Sequence, residues 1–241
     1  FNDKQAPKIK RLIRIIIFFL LLRNISLIIR VSNKTLPNFF NPDKTKTIYN
    51  GVPLEYIRYK NNNPKYSEKT KLLMVGSINR NKNQALAIDI IRKSVDLKLT
   101  LVGEGELKNK LINKNQDLIK SGRLIFTGFQ KEPRKYFLSS HILLVLSENE
   151  GLPFVILEAM SYGIPVIANN VGGINELISN NKNGILIYNN NFKSILKSIN
   201  QLKKNQKKYN FISQNAKQTI KNNFNSVNMF NKFIKYINDL N

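Results

Sequence analysis

The chain has 241 residues, 42% of them apolar, which is enough for a sizeable core and excludes wholesale disorder. Lysine and arginine number 39 against 15 acidic residues, and the formal charge of +24 favours polyanionic partners: nucleic acid, anionic membranes or phosphorylated substrates. Lys and Asn are abundant throughout, so compositional habit explains the charge slightly better than any one partner. The absence of cysteine excludes disulfides, thiolate metal sites and a cysteine nucleophile, and the single histidine argues against a histidine metal cluster or a Ser-His triad.

The N-terminal segment contains a basic, apolar run. Residues 12–22 are apolar except for Arg14, and Arg23 ends the run. The run is shorter than the ~20 apolar residues that span a bilayer, and no small-residue cleavage site follows it. A buried helix or a helix on an anionic membrane surface fits residues 8–23, and the buried helix is slightly favoured.

From residue 71 to residue 190, short apolar strands alternate with helical patterns. The predicted strands are 71–76, 97–103, 123–127, 142–146, 164–168 and 184–188, and the predicted helices are 83–94, 106–120, 132–139, 152–162 and 173–179. Continuously apolar strands separated by helices predict the α/β class, a Rossmann-like parallel sheet with helices on both faces. Ligands of such sheets bind at the carboxyl ends of the strands.

The flanks of this region have different patterns. Residues 61–64 are typical of a linker and residues 50–53 of a turn. After residue 191 the chain is helical and rich in lysine. The last predicted helix, 226–240, carries an apolar stripe, for which we expect no cover within this chain. The stripe consists of Val227, Phe230, Phe233, Ile234 and Ile237.

The segment from residue 147 to 176 carries the most specific pattern. Pro153 suits the first turn of a helix and Gly163 the position just past its end. We expect this helix to follow the fourth strand directly, with free N–H groups that face the ligand crevice and favour phosphate. Glu150 precedes the helix, and Glu158 lies ~7.5 Å along its axis from Pro153. The two carboxylates can accept hydrogen bonds, one from a sugar and the other from a ribose.

Together with Gly151 and the pair Gly172-Gly173, these residues resemble the family-four retaining glycosyltransferases. The resemblance extends over residues 28–240. That family has two Rossmann-like domains that face each other across a cleft, the GT-B architecture, and its C-terminal domain binds the nucleotide sugar. The resemblance implies that Glu150 is the catalytic residue beside the donor sugar, that Glu158 accepts from the ribose, and that the amides of Gly151 and Leu152 approach the diphosphate.

A second match lies in the loop that follows the first strand of the region. Lys82 falls at the position of a family lysine that binds the diphosphate. Ser77 follows Gly76 where the family has an arginine, and Arg80 is the alternative candidate for that contact. By the same resemblance, the Gly128-Phe129 segment meets the nucleobase with its backbone. His141 stands where an acid is usual and is interpreted as structural.

Two other classes of protein compete with this reading. A dinucleotide fingerprint at Gly103-x-Gly105 is rejected, because Lys108 stands where a third small residue is needed and no acid ends the following strand. A nucleic-acid-binding protein is supported by the charge and by the basic helices between residues 193 and 221. No aromatic stacking platform is interleaved with the basic residues, so nucleic acid is not the expected partner.

The resemblance also implies a domain organisation. Residues 1–50 are interpreted as a remnant of the N-terminal acceptor domain and linker, residues 51–225 as the nucleotide-sugar-binding domain, and residues 226–241 as an amphipathic C-terminal helix. Relative to the family the chain looks truncated. It is expected to be half of a split enzyme completed by a complementary N-terminal chain, a catalytically inactive nucleotide-binding remnant, or a fragment.

The predicted function follows from this resemblance. The chain is expected to move a sugar from a nucleotide-sugar donor to a glycan or lipid-linked acceptor, with retention, in cell-surface polysaccharide or lipopolysaccharide synthesis. We expect it in the cytoplasm, with peripheral binding at the inner face of the cell membrane. No cofactor and no metal are expected, because the sequence lacks an Asp-x-Asp pair beside a strand end and has one histidine.

Overall fold

The structure is a computed structural model that describes residues 25–34, 43–59 and 69–240. The apolar run at 12–22 and the predicted linker at 61–64 lie outside the described residues. The strands are β1 (Ile28–Arg30), β2 (Thr45–Thr47), β3 (Thr70–Val75), β4 (Leu97–Val102), β5 (Leu124–Phe126), β6 (Ile142–Val145), β7 (Val166–Asn169) and β8 (Ile185–Ile187). The α-helices are α1 (Gln84–Lys93), α2 (Lys108–Lys114), α3 (Gln116–Lys120), α4 (Arg134–Leu138), α5 (Phe154–Tyr162), α6 (Ile174–Leu177), α7 (Phe192–Lys204), α8 (Gln206–Asn223) and α9 (Ser226–Asn238), and a 3-10 helix spans Leu54–Arg58.

Strands β3 to β8 form one parallel sheet in the order β5-β4-β3-β6-β7-β8. All residues of β6, β7 and β8 are buried, as expected of strands covered on both sides. Successive side chains of a strand point to opposite faces, and Leu72 and Leu73 accordingly belong to two different apolar clusters. The fold class predicted from the sequence is therefore confirmed.

Two helix predictions were wrong in detail. The single helix predicted over 106–120 is divided into α2 and α3 at Asn115, which leaves the helical region at φ −131°. The buried Asn115 side chain donates to the carbonyl of Leu111 at 2.8 Å and accepts from Arg92 at 2.7 Å, so local side-chain hydrogen bonds replace the helical ladder there.

Helix α5 begins at Phe154 rather than 152, and it does not follow the strand directly, because residues 146–153 form a loop between β6 and the helix. Pro153 lies at the N-cap of the helix instead of in its first turn. The end agrees with the prediction, since Gly163 adopts the left-handed conformation at φ 74°.

A smaller parallel sheet of β1 and β2 precedes this core. Residues 50–53, predicted as a turn, form an irregular segment with an isolated bridge between Val52 and Asn225. Val52 donates to the carbonyl of Phe224 and accepts from Ser226 at the start of α9. A side chain at Gly51 would lie 2.3 Å from the carbonyl oxygen of Asn225, so only glycine fits this crossing.

Helix α9 exposes its apolar stripe, and none of its residues is buried. The exposed fractions run from 38% at Ile237 to 61% at Phe230, so the described residues cover the stripe only in part. Within the described ranges, no helix is both long enough and apolar enough to cross a membrane.

Candidate functional site

The site lies between the loops that follow β3 and β6, which we call the edge crevice (residues 76–83 and 146–153). Strands β3 and β6 are neighbours in the sheet, so their carboxyl ends bring the two loops together. Asn81 joins the loops through three hydrogen bonds. Its backbone carbonyl accepts from the Glu148 N–H at 2.9 Å, its Oδ1 accepts from the Asn149 N–H at 3.0 Å, and its Nδ2 donates to the Asn149 carbonyl at 3.1 Å.

An ion pair crosses the edge crevice. Lys82 Nζ lies 2.5 Å from Glu150 Oε1, and the hydroxyl of Ser147 donates to the same oxygen at 2.7 Å. The Glu150 side chain is 10% exposed and the Lys82 side chain 25% exposed. The two candidates that the sequence placed on different strands thus meet, and a mostly buried carboxylate has a cation beside it.

The loop that precedes α5 offers backbone donors next to this pair. The N–H groups of Gly151 and Leu152 donate no hydrogen bond within the described residues. Their carbonyls are occupied, because the Gly151 carbonyl accepts from the Gly173 N–H at 2.9 Å and the Leu152 carbonyl accepts from Asn50 Nδ2 at 2.8 Å. Free backbone N–H groups near a lysine suit an anionic ligand.

Glu158 differs from Glu150 in its surroundings. It lies within α5, partly buried, and desolvation by burial raises the pKa of its carboxyl. Among the described residues, no ion pair or hydrogen bond joins its carboxylate to Lys82 or to any other side chain. A desolvated acid without an internal donor can accept from a ligand hydroxyl, or donate to the ligand when it is protonated.

The remaining candidates are not gathered around the ion pair by any described hydrogen bond. Arg80 is exposed and has no ion-pair partner in the described part of the chain. The Ser77 side chain is exposed, while its carbonyl accepts from Gln84 at 2.9 Å. Gly76 has φ 141°, and a Cβ there would lie 3.7 Å from Lys82 Cε. Phe129 is 74% exposed in the loop after β5.

Sequence reasoning missed the polar residues that hold the edge crevice in shape. Asn81, Ser147 and Asn169 were given no role by the sequence analysis, and Asn169 Nδ2 donates to the Ser147 carbonyl at 3.0 Å. A polar residue at the end of an apolar strand is the signal that could have found Asn169. His141 is buried between strands, where its Nδ1 accepts from the Lys71 N–H at 2.9 Å, in keeping with a structural role.

Within the described residues, no three acidic or histidine side chains stand close enough together to hold a metal ion. Metal independence stays a prediction.

The sequence was compared with protein families and curated proteins. The profile of the family described as Glycosyl transferases group 1 matches residues 56–219. The chain is 30% identical over 209 residues to the UDP-Gal:alpha-D-GlcNAc-diphosphoundecaprenol alpha-1,3-galactosyltransferase of Escherichia coli. This match covers 80% of this chain and 54% of that protein. It is 27% identical over 199 residues to the N-acetylgalactosamine-N,N'-diacetylbacillosaminyl-diphospho-undecaprenol 4-alpha-N-acetylgalactosaminyltransferase of Campylobacter jejuni, with 82% and 54% covered. The chain therefore spans about half the length of these relatives.

Solved structures resemble the fold closely. Anabaena Alr3699/HepE, crystallised in complex with UDP, superposes with a TM-score of 0.82 at 22% identity over 92% of this chain and 66% of that chain. Sucrose-phosphate synthase from Thermosynechococcus elongatus gives a TM-score of 0.81 at 18% identity over 100% of this chain and 63% of that chain. At such identities the likeness is one of fold, and it agrees with the Rossmann-like half of a GT-B protein.

Proposed function

The chain belongs to the group 1 glycosyl transferases, and from this premise we propose that its edge crevice binds the diphosphate of a nucleotide-sugar donor. The protein then transfers the sugar, with retention, to a glycan or lipid-linked acceptor. The observation that carries the proposal is the meeting of Lys82 and Glu150 beside the free N–H groups of Gly151 and Leu152.

The chemistry of these groups assigns them different parts of the donor. The Lys82 ammonium and the free N–H groups are donors without acceptor capacity, so they suit phosphate oxygens. Glu150, an acceptor beside them, suits sugar hydroxyls at the reacting carbon. Glu158, further along α5, suits a ribose hydroxyl. Arg80 and the backbone around Phe129 are proposed as outer contacts, to the diphosphate and the nucleobase respectively.

Relatives support the donor and acceptor classes. The curated names of the two relatives include a UDP-galactose donor and undecaprenol-diphosphate-linked acceptors, and the Anabaena protein was crystallised with UDP. We therefore propose a uridine nucleotide first, and an acceptor presented at the inner face of the cell membrane. The basic run at 8–23 is the proposed membrane contact, and vesicle co-sedimentation with and without anionic lipid tests it.

Calorimetry with uridine, guanosine and adenosine diphosphates tests the proposal on the chain itself. We expect saturable binding of one nucleotide. Binding of none of the three would contradict the donor site and favour a decayed remnant. Salt-dependent binding of nucleic acid in a gel shift, without nucleotide binding, would instead favour the nucleic-acid class.

Metal independence gives a second test. Lys82, Arg80 and the free N–H groups of Gly151 and Leu152 supply positive charge and hydrogen-bond donors without a metal ion, so nucleotide affinity should change less than about twofold when a chelator is added. A loss of about tenfold in chelator, restored by magnesium, would contradict this part of the proposal.

A further inference from the structure

A hydrogen-bonded cluster around one carboxylate, that of Glu176 on α6, lies outside the edge crevice, and we call it the Glu176 latch (Ser32, Asn33, Tyr49 and Glu176). Four hydrogen bonds converge on the Glu176 carboxylate from residues far away in sequence. Oε1 accepts from the Ser32 hydroxyl at 3.0 Å, and Oε2 accepts from the Asn33 N–H at 3.1 Å, Asn33 Nδ2 at 3.0 Å and the Tyr49 hydroxyl at 2.8 Å. The carboxylate thus fixes both β1 and β2 to the large sheet domain.

The latch is itself rigidly built. Arg30 donates to Thr47 at 2.8 Å and to Asn33 Oδ1 at 2.9 Å, so the strands are also joined through their side chains. The donors of the latch outweigh the burial that opposes ionisation, and the pKa of Glu176 lies below its ordinary value. An ionised acceptor makes stronger hydrogen bonds than a neutral one, so this junction is held at neutral pH.

The latch reaches the edge crevice through Gly173, which contacts both Ser32 and Gly151. Ser32 is fully buried against Gly173, where an added Cβ would lie 2.6 Å from the Ser32 hydroxyl and 2.5 Å from the Gly151 carbonyl oxygen. The Gly173 N–H donates to that carbonyl at 2.9 Å. Next to it, a Cβ on Gly172 would lie 1.7 Å from the Glu150 carbonyl oxygen. Backbone packed so closely has no free volume in which to move independently.

A second tether runs in parallel to the latch. Asn50, which follows β2 and Tyr49 in the chain, donates from Nδ2 to the Leu152 carbonyl at 2.8 Å. The β1–β2 segment is therefore connected to the loop that presents the N–H groups of Gly151 and Leu152 twice, directly through Asn50 and indirectly through Gly173. Displacement of the segment must disturb that loop.

We propose that Glu176 is a positioning residue, which couples the placement of the β1–β2 segment to the geometry of the loop at residues 149–153 and so to nucleotide affinity. The nucleotide part of this inference rests on the proposed function. Coupling of this kind is reciprocal: if the latch strengthens nucleotide binding, nucleotide must strengthen the latch by the same factor.

Hydrogen exchange and calorimetry on the full chain test the coupling. The variants are Glu176→Gln, which keeps the volume, Tyr49→Phe, which removes one donor, and the control Asp117→Asn. The Asp117 carboxylate also accepts from a side chain, that of Arg92. Asp117 lies on α3, which leads into the amino end of β5, whereas the edge crevice lies at the carboxyl ends of the strands. Exchange is followed at residues 28–34 and at residues 149–153, with and without uridine diphosphate. Within 149–153 the informative amide is that of Asn149, which donates to Asn81 Oδ1.

In Glu176→Gln we expect exchange about tenfold faster at 28–34, several-fold faster at 149–153, and nucleotide affinity weaker by about three- to tenfold. Tyr49→Phe should show smaller changes of the same sign, and it decides the matter if Glu176→Gln fails to fold. Asp117→Asn should match the wild type. Nucleotide should slow exchange at 28–34 in the wild type and much less in Glu176→Gln.

Faster exchange at 28–34 in Glu176→Gln with unchanged exchange at 149–153 would overturn the coupling and leave a local tether. Unchanged exchange at both places would overturn the latch. If the wild type binds none of the three nucleotides, the proposed function fails, and the nucleotide-free exchange at 149–153 alone decides the coupling.

Discussion

Glu158 and Glu176 lie on successive helices of the same domain, yet the structure treats the two carboxylates in opposite ways. Glu176 accepts four hydrogen bonds from three residues, and its pKa is lowered because these donors together outweigh desolvation. Glu158 has no described donor for its carboxylate, and burial raises its pKa. One acid has its acceptor capacity filled by the protein, whereas the other has it available.

This difference separates a structural carboxylate from a candidate ligand-binding one more sharply than residue type or sequence motif. A partly buried acid without a donor costs folding free energy, and that cost is understandable if a ligand supplies the missing partner. Glu150 is intermediate, because its Lys82 partner is itself a donor that a diphosphate can share.

The largest expected effect comes from removing the cation of the edge crevice. Lys82→Ala should weaken binding of the nucleoside diphosphate by ~1.5–3 kcal/mol, since it removes a charge-assisted hydrogen bond and leaves the Glu150 carboxylate without its cation. Calorimetry measures this. Lys203→Ala is the matched control, because Lys203 pairs with Asp96 just before β4, at the opposite edge of the sheet. Equal losses of nucleotide affinity in Lys82→Ala and Lys203→Ala would contradict a specific role for Lys82 in the edge crevice.

Variants of Glu150 and Glu158 should then differ in effect, because the two acids are proposed to contact different parts of the donor. Glu158→Ala should weaken free nucleotide binding by about tenfold, as expected for loss of a hydrogen bond to a charged group. Glu150→Ala should reduce turnover far more than nucleoside-diphosphate affinity, because Glu150 is proposed to contact the donor sugar. Calorimetry is paired with turnover in an assembly that transfers sugar. Equal effects of both variants on free nucleotide would contradict the division of roles.

The smallest effects concern stability, and they should have opposite signs. The lowered pKa of Glu176 contributes stability at pH values above the ordinary glutamate pKa, and this contribution is lost as pH falls through the pKa of the folded state. Glu176→Gln should therefore lower the free energy of unfolding by roughly 1 kcal/mol at pH 7, and by less below about pH 4. The raised pKa of Glu158 favours folding below the ordinary value and is a cost once pH rises through the folded one. Glu158→Gln should therefore gain stability at pH 7 and lose that gain on acidification.

Denaturant unfolding at pH 4 and pH 7 measures both differences. The comparison between the two carboxylates would be wrong if both variants changed stability in the same direction at pH 7.

Much of the fold could be predicted from the sequence, because apolar strands and helical spacing are local signals. The sheet, its parallel character and the left-handed end of α5 at Gly163 follow from residues close together in the chain. The break at Asn115 was missed, because it depends on Arg92 from another helix.

Only part of the candidate site could be predicted from the sequence. Placing Lys82 and Glu150 at strand ends was enough to bring them to one edge, but their direct contact depends on β3 and β6 being neighbours, which the order of residues does not reveal. The Glu176 latch was missed altogether, because its partners come from irregular segments with no periodic pattern.

The strand order also bears on how the chain folds. Strand β3 pairs with β4 along its whole length, whereas it meets β6 through Leu72–Ile142 and Leu73–Leu143. Strands β3 to β5 and strands β6 to β8 are each close in sequence, so each set can assemble early, and the pairing between them closes the longest loop of the sheet. The edge crevice lies on this seam, and we expect its ion pair to form in the last step of folding, when the two half-sheets join.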